Sequence, residues 1–181
     1  MVYILLCDGF EESEAIVPAD LLRRARIDTA LVGVTGPTVT SSHSIRVAAD
    51  LTLDRVDLAE LELVFLPGGL KGVENLKASP AAMELVRAAA QKGALVTAIC
   101  AAPTLLGGLG LLDGKAAVCY PGMEDGLGAA HAKPGTPVVV DGAFVTGEAA
   151  GSSFQFGLKL VELLRGAETM EAVKEAVHFH G

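Results

Sequence analysis

The sequence predicts an α/β fold, in which a mostly parallel β-sheet is covered by helices on both faces. Short, uncharged apolar runs alternate along the chain with longer segments whose apolar residues recur at helical spacing. The chain is 51% hydrophobic but only 4% aromatic, so its core must consist of aliphatic side chains, as in sheets buried on both faces. The sequence contains neither an internal repeat nor a linker, and we expect a single domain spanning residues 1–181.

The first part of the chain predicts two strands, one helix and a hairpin. Residues 2–7 form a continuous apolar run that ends at a turn dipeptide, which indicates a buried strand. Residues 12–25 carry apolar side chains at helical spacing, and Pro18 is expected to disturb that helix early. A second strand is predicted at 29–34, and the proline, serine and β-branched residues of 37–49 indicate a short hairpin outside the main sheet.

The middle of the chain predicts two more buried strands, each followed by a break. Residues 62–66 form the third strand, and a Pro-Gly-Gly sequence ends it. A serine–proline pair at 79–80 is typical of an N-cap and a first helical residue, so we expect a helix there that ends at Gly93. Residues 94–99 form the fourth strand, and 101–109 form a helix directly after it.

The last third of the chain predicts three further strands and two helices. Strand-like segments lie at 116–120 and 137–140, and the Asp-Gly pair after the second predicts a tight hairpin turn into 143–146. A short helix is predicted near 168–177. The apolar residues that define a long helix before it are Phe154, Leu158, Val161 and Leu164.

The charge and the cysteine content exclude several classes of protein. The formal net charge is −8 and no lysine- or arginine-rich stripe is present, so we expect no nucleic-acid partner and no membrane partner. The uncharged apolar runs are too short to span a bilayer, and the chain start lacks the basic residues of a signal peptide. Three cysteines do not form a disulfide framework. These features predict a cytoplasmic protein with reduced thiols.

Three of the predicted strand ends are expected to meet at one edge of the sheet. Asp8 and Gly9 follow the first strand, the segment 67–69 follows the third, and Cys100 follows the fourth. In open parallel sheets, ligands bind beyond the carboxyl ends of the strands. A ligand site is therefore expected where these three segments converge.

Cys100 is the leading candidate for a reactive group. It lies between an apolar strand and a helical segment, with small residues two positions before and after it, as the strand-to-helix turn of a nucleophile elbow requires. The N–H groups and the dipole of the following helix are expected to lower the pKa of its thiol. The spacing leaves open a buried structural cysteine, which is the interpretation we favour for Cys7 and Cys119.

Glu14 is the second candidate, because it lies in an acidic segment just after the first strand. Three carboxylates fall within the four residues 11–14. Acidic residues at this place are normally the solvated start of a helix, which the helix dipole favours. From the residues alone that interpretation stands beside a catalytic one.

Four segments of the chain occur in the order and spacing of a known group of proteins. They are Gly9-Phe10-Glu11-Glu12-Ser13-Glu14, Leu66-Pro67-Gly68-Gly69, Ala98-Ile99-Cys100-Ala101-Ala102-Pro103 and Gly151-Ser152-Ser153-Phe154. In these motifs the chain resembles the ThiJ/PfpI superfamily, on the branch of the Parkinson's-disease-linked protein deglycase, over essentially its whole length. The resemblance implies a flavodoxin-like three-layer sandwich.

The resemblance also implies roles for individual residues. It makes Cys100 the reactive cysteine and Glu14 the glutamate that contacts it. The backbone N–H groups of Gly69 and Ala101 correspond to an anion-binding corner that stabilises an oxyanion. His131 corresponds to a histidine downstream of the cysteine that moves protons in members with glyoxalase or deglycase activity; the alternative is an exposed loop histidine.

Other positions bear on assembly and on the charge of the site. Arg24 matches an interface arginine of the superfamily, or is simply a solvated helix residue, and His43 stands where relatives often have arginine. The segment 146–152 also departs from the pattern of relatives, so the anion site is expected to be less positive. The resemblance implies a homodimer, and neither an organic cofactor nor a metal site is expected.

Three functions are compatible with these residues. The resemblance implies a cofactor-independent glyoxalase or deglycase, in which the Cys100 thiolate attacks a small reactive dicarbonyl such as methylglyoxal, or its adduct on a glycated protein. The same residues fit a non-enzymatic redox sensor or stress chaperone, because a reactive cysteine is the first to oxidise. A cysteine peptidase of a related branch is less favoured, since such enzymes have histidine where this chain has Ala101.

Overall fold

A seven-stranded β-sheet runs through the centre of the protein in the computed structural model, which describes residues 1–181. The strands, in chain order, are β1 (Val2–Leu6), β2 (Thr29–Gly33), β3 (Thr38–Thr40), β4 (Arg46–Ala48), β5 (Leu51–Thr52), β6 (Leu63–Leu66), β7 (Leu95–Ile99), β8 (Ala116–Ala117), β9 (His131–Ala132), β10 (Val138–Asp141) and β11 (Phe144–Gly147). The main sheet has the order β10-β11-β7-β6-β1-β2-β5, and only the β10–β11 pair is antiparallel. The predicted parallel sheet is confirmed.

Helices cover both faces of this sheet. They are α1 (Glu12–Arg24), α2 (Leu70–Lys77), α3 (Pro80–Lys92), α4 (Pro103–Gly108), α5 (Ser153–Arg165) and α6 (Ala167–Ala176). Side chains alternate along each strand, so that Leu5 of β1 joins the core beneath α2, α3 and α4, whereas Ile4 and Leu6 join the core beneath α1, α5 and α6. The three-layer α/β architecture predicted from the sequence is confirmed.

Local signals in the sequence predicted most of the smaller features. The hairpin predicted within 37–49 is the antiparallel pair β3–β4. The Ser79 hydroxyl accepts a hydrogen bond from the N–H of Ala82 at the start of α3, and Gly93 ends that helix with a left-handed φ of 79°. The tight turn between β10 and β11 is also present, with Gly142 at a φ of 61°.

Several expectations were wrong in detail. The helix expected to start at residue 101 begins only at Pro103, because a tight turn comes first. Helix α2 was not predicted, although Leu70, Val73 and Leu76 have helical spacing. In α5, Phe154 was expected to help define the apolar face but is exposed, and Phe156 is buried in its place.

Pro18 does not disturb α1, contrary to expectation. The helix continues through it, although proline has no N–H to donate to the carbonyl of Glu14 four residues earlier. The ring is buried and faces α5, where a Cβ on Gly157 would lie 2.9 Å from the Cα of Pro18. Close packing against α5 therefore holds this part of α1 in place.

Helix lengths bear on the membrane expectation. The longest helices, α1, α3 and α5, have 13 residues each. None of the helices has the length and apolar character that crossing a bilayer requires.

The order of the strands decides where a site forms. Strands β7, β6 and β1 are consecutive neighbours in the sheet and run in the same direction. Their carboxyl ends therefore lie side by side, and the segments that follow them converge at one edge, as expected. These segments contain Cys100, the glycines Gly68 and Gly69, and the loop that leads into α1.

Candidate active site

Cys100 occupies a sharp turn immediately after β7. Its φ is 64°, in the left-handed region, which for a residue with a side chain is strained by about 1 kcal/mol. Two hydrogen bonds hold this conformation: the Cys100 N–H donates to the carbonyl of Gly147 (3.0 Å), and the Cys100 carbonyl accepts from the N–H of Tyr120 (2.8 Å). The turn has the strained geometry of a nucleophile elbow.

Glu14 is buried beside the cysteine. It lies in the first turn of α1 and is only 1% exposed, so the solvated helix start that the sequence also allowed is not what the structure contains. Its Oε2 accepts a hydrogen bond from the N–H of Gly68 (2.8 Å), and its carboxyl group also hydrogen-bonds the Cys100 thiol. The carboxyl group is thus fixed between the end of β6 and the sulfur.

Gly68 packs closely against both the Glu14 carboxyl group and Cys100. A Cβ at this position would lie 2.5 Å from the Glu14 Oε2 and 2.7 Å from the Cys100 Cβ. Gly69 has a φ of 87°, and a Cβ there would lie 2.4 Å from the carbonyl oxygen of Gly9. The two glycines after β6 are therefore required by close approach and, at Gly69, by backbone conformation.

Two backbone N–H groups face the sulfur. Those of Gly69 and Ala101 both form hydrogen bonds with Cys100. The structure thus brings together the pair of donors expected from the sequence. Fixed N–H groups of this kind stabilise negative charge on the sulfur or on an oxygen bound to the carbon that the sulfur attacks.

Burial decides how the thiol and the carboxyl group ionise. It raises the pKa of Glu14 to about 7, against the lowering effect of its hydrogen bonds with Cys100 and Gly68. Burial, followed by the charge of Glu14, raises the pKa of Cys100 to about 12. The lowered thiol pKa predicted from the sequence is therefore not observed, because burial and the neighbouring carboxylate outweigh the two N–H groups.

The two groups titrate as a pair because they are in contact. Near neutral pH the pair loses one proton and keeps the other, so it carries no more than one negative charge. Because the pKa of Cys100 is raised further than that of Glu14, the remaining proton is the one on the sulfur, beside the carboxylate. Such a pair supplies a nucleophile and a proton acceptor at the same place.

A cavity of 350 Å³ opens onto the sulfur. Its walls include Glu11, Leu70, Met123 and the phenol-bearing Tyr120. Sequence reasoning did not select Tyr120 as a site residue. The predicted strand 116–120 gave no such signal, because only β8 (Ala116–Ala117) forms there and it lies outside the main sheet. The hydrogen bond from the Tyr120 N–H to the Cys100 carbonyl brings this residue to the cavity.

His131 is not brought to this cavity. It is exposed on β9, paired with Ala116 of β8, and its N–H donates to the carbonyl of Lys115 (2.7 Å). It is not among the residues that line the cavity at Cys100. Within one chain, the placement of His131 therefore gives no support to its predicted role in moving protons at the nucleophile.

Arg24 and His43 are also separate from the sulfur. Arg24 forms an ion pair with Asp20 (2.7 Å) and lies ten residues beyond Glu14 on α1, a rise of about 15 Å. It therefore adds no positive charge to the cysteine cavity of its own chain. His43 lies in the β3–β4 turn, is largely exposed, and places its Nδ1 2.7 Å from a carboxylate oxygen of Glu12.

One group of side chains near the cavity has potential metal ligands. Glu11, Glu12 and His43 each offer one ligand atom, and these atoms lie within 4.8 Å of one another. The sequence gave no reason to expect this grouping, because residues 11 and 12 are far from residue 43 along the chain. The Ser42 hydroxyl lies between the two carboxylates, 3.0 Å from a Glu11 oxygen and 3.2 Å from a Glu12 oxygen, and its single hydrogen is available to either.

The other two cysteines are buried and do not line the cavity at Cys100. Cys7 is fully buried, and burial raises the pKa of its thiol to about 12. Cys119 is 2% exposed, and burial raises the pKa of its thiol to about 11. Both environments agree with the structural roles predicted for these residues.

Comparison with known proteins gives the family of this chain. The sequence profile of the DJ-1/PfpI family matches residues 1–163. The chain belongs to the DJ-1/PfpI family. Among its relatives, the Parkinson disease protein 7 homolog of Danio rerio is 37% identical over 175 residues, which cover 94% of this chain and 93% of the relative. The deglycase PH1704 of Pyrococcus horikoshii is 29% identical over 165 residues, which cover 91% of this chain and 99% of the relative.

Solved structures of DJ-1 proteins share the whole fold. A mutant of the DJ-1 superfamily protein STM1931 from Salmonella typhimurium superposes with a TM-score of 0.93 at 35% identity, covering 99% of this chain and 98% of that one. DJ-1beta of Drosophila melanogaster gives a TM-score of 0.92 at 33% identity, with the same coverage. The flavodoxin-like sandwich implied by the sequence motifs is confirmed.

The first prediction concerns the space between the thiol and the carboxyl group. Gly68→Ala is expected to destabilise the protein by about 2 kcal/mol, because the new methyl group must displace Glu14 or Cys100. Chemical unfolding measures this effect. Gly108→Ala is the matched control, since a Cβ there meets no atom within 4 Å and stability should not fall. Equal stability of the two variants would contradict the close approach described.

The second prediction follows from the raised pKa of Glu14. The folded protein retains this proton between about pH 4.5 and pH 7, whereas the unfolded chain loses it, so wild-type stability falls as the pH rises through that range. The glutamine side chain of Glu14→Gln has no proton to lose between pH 4.5 and pH 7. The free energy of unfolding of this variant relative to wild type should rise by up to about 3 kcal/mol between pH 4 and pH 8. A difference between the two proteins that does not change with pH would refute the assignment.

Proposed function

We propose that this protein is a Cys100-dependent glyoxalase or deglycase, which converts methylglyoxal-like dicarbonyls or their protein adducts to hydroxy acids. The observation that carries the proposal is the convergence of one thiol, one carboxyl group and two backbone N–H groups on a single cavity. Membership of the DJ-1/PfpI family supports it, as does the relative named a deglycase. The reaction takes its atoms from the substrate and water, and none of its steps needs an organic cofactor.

The first step is addition of the thiol to the aldehyde carbon. The Glu14 carboxylate takes the proton of Cys100 as the sulfur–carbon bond forms and the carbonyl π bond opens. The N–H groups of Gly69 and Ala101 stabilise the oxyanion that develops on that carbon. The protonated Glu14 then returns this proton to the oxyanion, which completes a hemithioacetal and restores the carboxylate.

The second step moves hydrogen within the bound substrate. The former aldehyde carbon loses its proton to Glu14, an enediol forms, and the neighbouring carbon takes up a proton. The aldehyde carbon is thereby oxidised and the ketone carbon reduced, so no external oxidant is needed. The product is a thioester of the hydroxy acid, and water hydrolyses it to lactate and the free thiol.

The substrate oxygen also requires a hydrogen-bond donor in the cavity while negative charge develops on it. Tyr120 lines the cavity, and its backbone is bonded directly to that of Cys100. His131, the candidate implied by the resemblance, is on β9 and outside the cavity lining. We therefore assign the role of hydrogen-bond donor to the Tyr120 phenol.

A peptidase is not supported by the geometry. Cysteine peptidases pair the nucleophile with a histidine, which accepts the thiol proton and later protonates the leaving amine. No histidine lines the cavity at Cys100. The residue that follows the nucleophile is Ala101, whose contribution to the site is its N–H group.

Oxidation of Cys100 is a second candidate function. Cys100 is the one cysteine of the three that is not fully buried, and the donors around it also suit a sulfinate. A relative of known structure, 31% identical with a TM-score of 0.93, is described as Toxoplasma gondii DJ-1 in an oxidized state. A redox-sensing role thus uses the same atoms as the enzymatic one.

The third prediction tests the enzymatic proposal through loss of methylglyoxal and formation of lactate. Cys100→Ala should abolish turnover, and Glu14→Gln should lower kcat by at least about a hundredfold, because the base is lost. Tyr120→Phe should lower kcat/KM by about tenfold, which corresponds to one hydrogen bond in the transition state. His131→Ala serves as the matched control and should leave kcat/KM unchanged. Turnover that survives in Cys100→Ala would rule out the covalent mechanism.

The fourth prediction separates the redox-related role from catalysis. Limited hydrogen peroxide should add two oxygen atoms to Cys100 and none to Cys7 or Cys119, as measured by mass spectrometry of proteolytic fragments. Glu14→Ala should shift the product toward further oxidation, because the hydrogen bond from the carboxyl group to the sulfinate is lost. Oxidation spread equally over the three cysteines would show that the environment of Cys100 confers no selectivity.

A further inference from the structure

A second cavity adjoins the one at Cys100. Its volume is 730 Å³, about twice that of the cysteine cavity, and the two share Leu70, Ala101 and Met123. Helices α2, α3 and α4 and the segment 123–128 form its walls. We call this second cavity the side cleft. A ligand that occupies both spaces passes over Ala101, directly beside the nucleophile.

The combined space exceeds what a three-carbon dicarbonyl requires. Cavities of 300–1,000 Å³ hold drug-sized ligands, and the cysteine cavity alone is at the lower end of that range. We propose that the side cleft binds the peptide that carries a dicarbonyl adduct, so that the preferred substrate is a modified protein side chain in its sequence context. This inference rests on the proposed function and specifies the substrate class of the same site.

The apolar surface at the junction favours a large substrate. Leu70 is 68% exposed although it lies beside the nucleophile at the first position of α2. Met123 contributes to both cavities. A free dicarbonyl leaves these side chains in water, whereas a peptide that runs from one cavity into the other covers them. Burial of such surface is favourable.

Charges in the side cleft point to the sequence around the adduct. Lys77 of α2 has no carboxylate within 4 Å, and Arg87 of α3 reaches only Glu84, at 3.9 Å. The two acidic residues of the lining are Glu74, which is paired with Lys71 (3.5 Å), and Asp125 on the opposite wall. In a chain of net charge −8, Lys77 and the weakly paired Arg87 on the α2–α3 side select a peptide with an acidic residue next to the adduct.

One position allows the cleft to be closed without disturbing the protein. Gly108 lines the side cleft at the end of α4, has no positive φ, and a Cβ there meets nothing within 4 Å. Gly108→Leu therefore projects into the cleft. Gly151 has the same properties in the cysteine cavity, which makes Gly151→Leu the matched variant for that space.

The fifth prediction compares three substrates. One is methylglyoxal alone. The other two are peptides freshly modified with methylglyoxal on a central cysteine, which is flanked by aspartates in one peptide and by lysines in the other. Wild type should act on the aspartate-flanked adduct about fivefold better than on the lysine-flanked one, as two partly exposed charge pairs allow. The double variant Lys77→Glu with Arg87→Glu should reverse this order and leave kcat/KM for methylglyoxal unchanged.

The two glycine variants locate the effect. Gly108→Leu should lower kcat/KM for both peptides by about tenfold and spare methylglyoxal, whereas Gly151→Leu should lower it for all three substrates. Thermal unfolding checks that each variant is folded, and Gly108→Met provides a smaller obstruction with the same readout. If both peptide adducts disappear in the presence of the protein only as fast as they release methylglyoxal spontaneously, whatever the flanking residues, the inference is overturned.

A binding measurement separates failure of the inference from failure of the proposed function. Fluorescence anisotropy of the labelled aspartate-flanked peptide with Cys100→Ala protein reports binding without chemistry. Suppose that wild type shows no turnover, but Cys100→Ala protein binds the peptide and loses that binding when Gly108→Leu is added. This result refutes the enzymatic proposal and keeps the side cleft as a peptide site. Absence of peptide binding to Cys100→Ala protein refutes the side-cleft inference, whatever the activity toward methylglyoxal.

Discussion

The burial of two acidic groups in contact governs this site. A thiol and a carboxyl group in contact at a largely buried site cannot both be charged, so the pair retains a proton at neutral pH. Gly68 allows this contact, because a side chain there would displace one of the two groups, and it also donates the hydrogen bond that orients Glu14. The ionisation of Cys100 and Glu14 therefore depends on the close packing of Gly68 against both residues as well as on their charges.

The strained turn at Cys100 persists because a hydrogen bond holds the peptide group on each side of it. The N–H of Cys100 is bonded to β11 and its carbonyl to Tyr120, so neither peptide group can rotate without losing a buried hydrogen bond. The cost of the left-handed conformation is small beside those two bonds. The left-handed conformation orients the side chain so that the sulfur faces the two backbone N–H groups and the cavity.

Much of the fold and part of the site could be predicted from the sequence. Alternation of apolar runs with helical segments gave the sheet, and small residues around Cys100 gave the turn. The pKa of the thiol could not be predicted, because it depends on burial that the linear chain does not express. His131 was selected from the family resemblance, whereas Tyr120 lines the cavity because its N–H is bonded to the Cys100 carbonyl, a contact between segments that the linear sequence does not show.

The hydrogen bond from Cys100 to Gly147 has a consequence for the order of events during synthesis. Gly147, the acceptor on β11, is synthesised 47 residues after Cys100, whereas α1 with Glu14 is synthesised well before Cys100. On the ribosome, the growing chain thus carries an unconstrained thiol until the last strand of the sheet has emerged. Maturation of the nucleophile coincides with closure of the sheet, so shortened chains that end before β11 keep the cysteine but not its geometry.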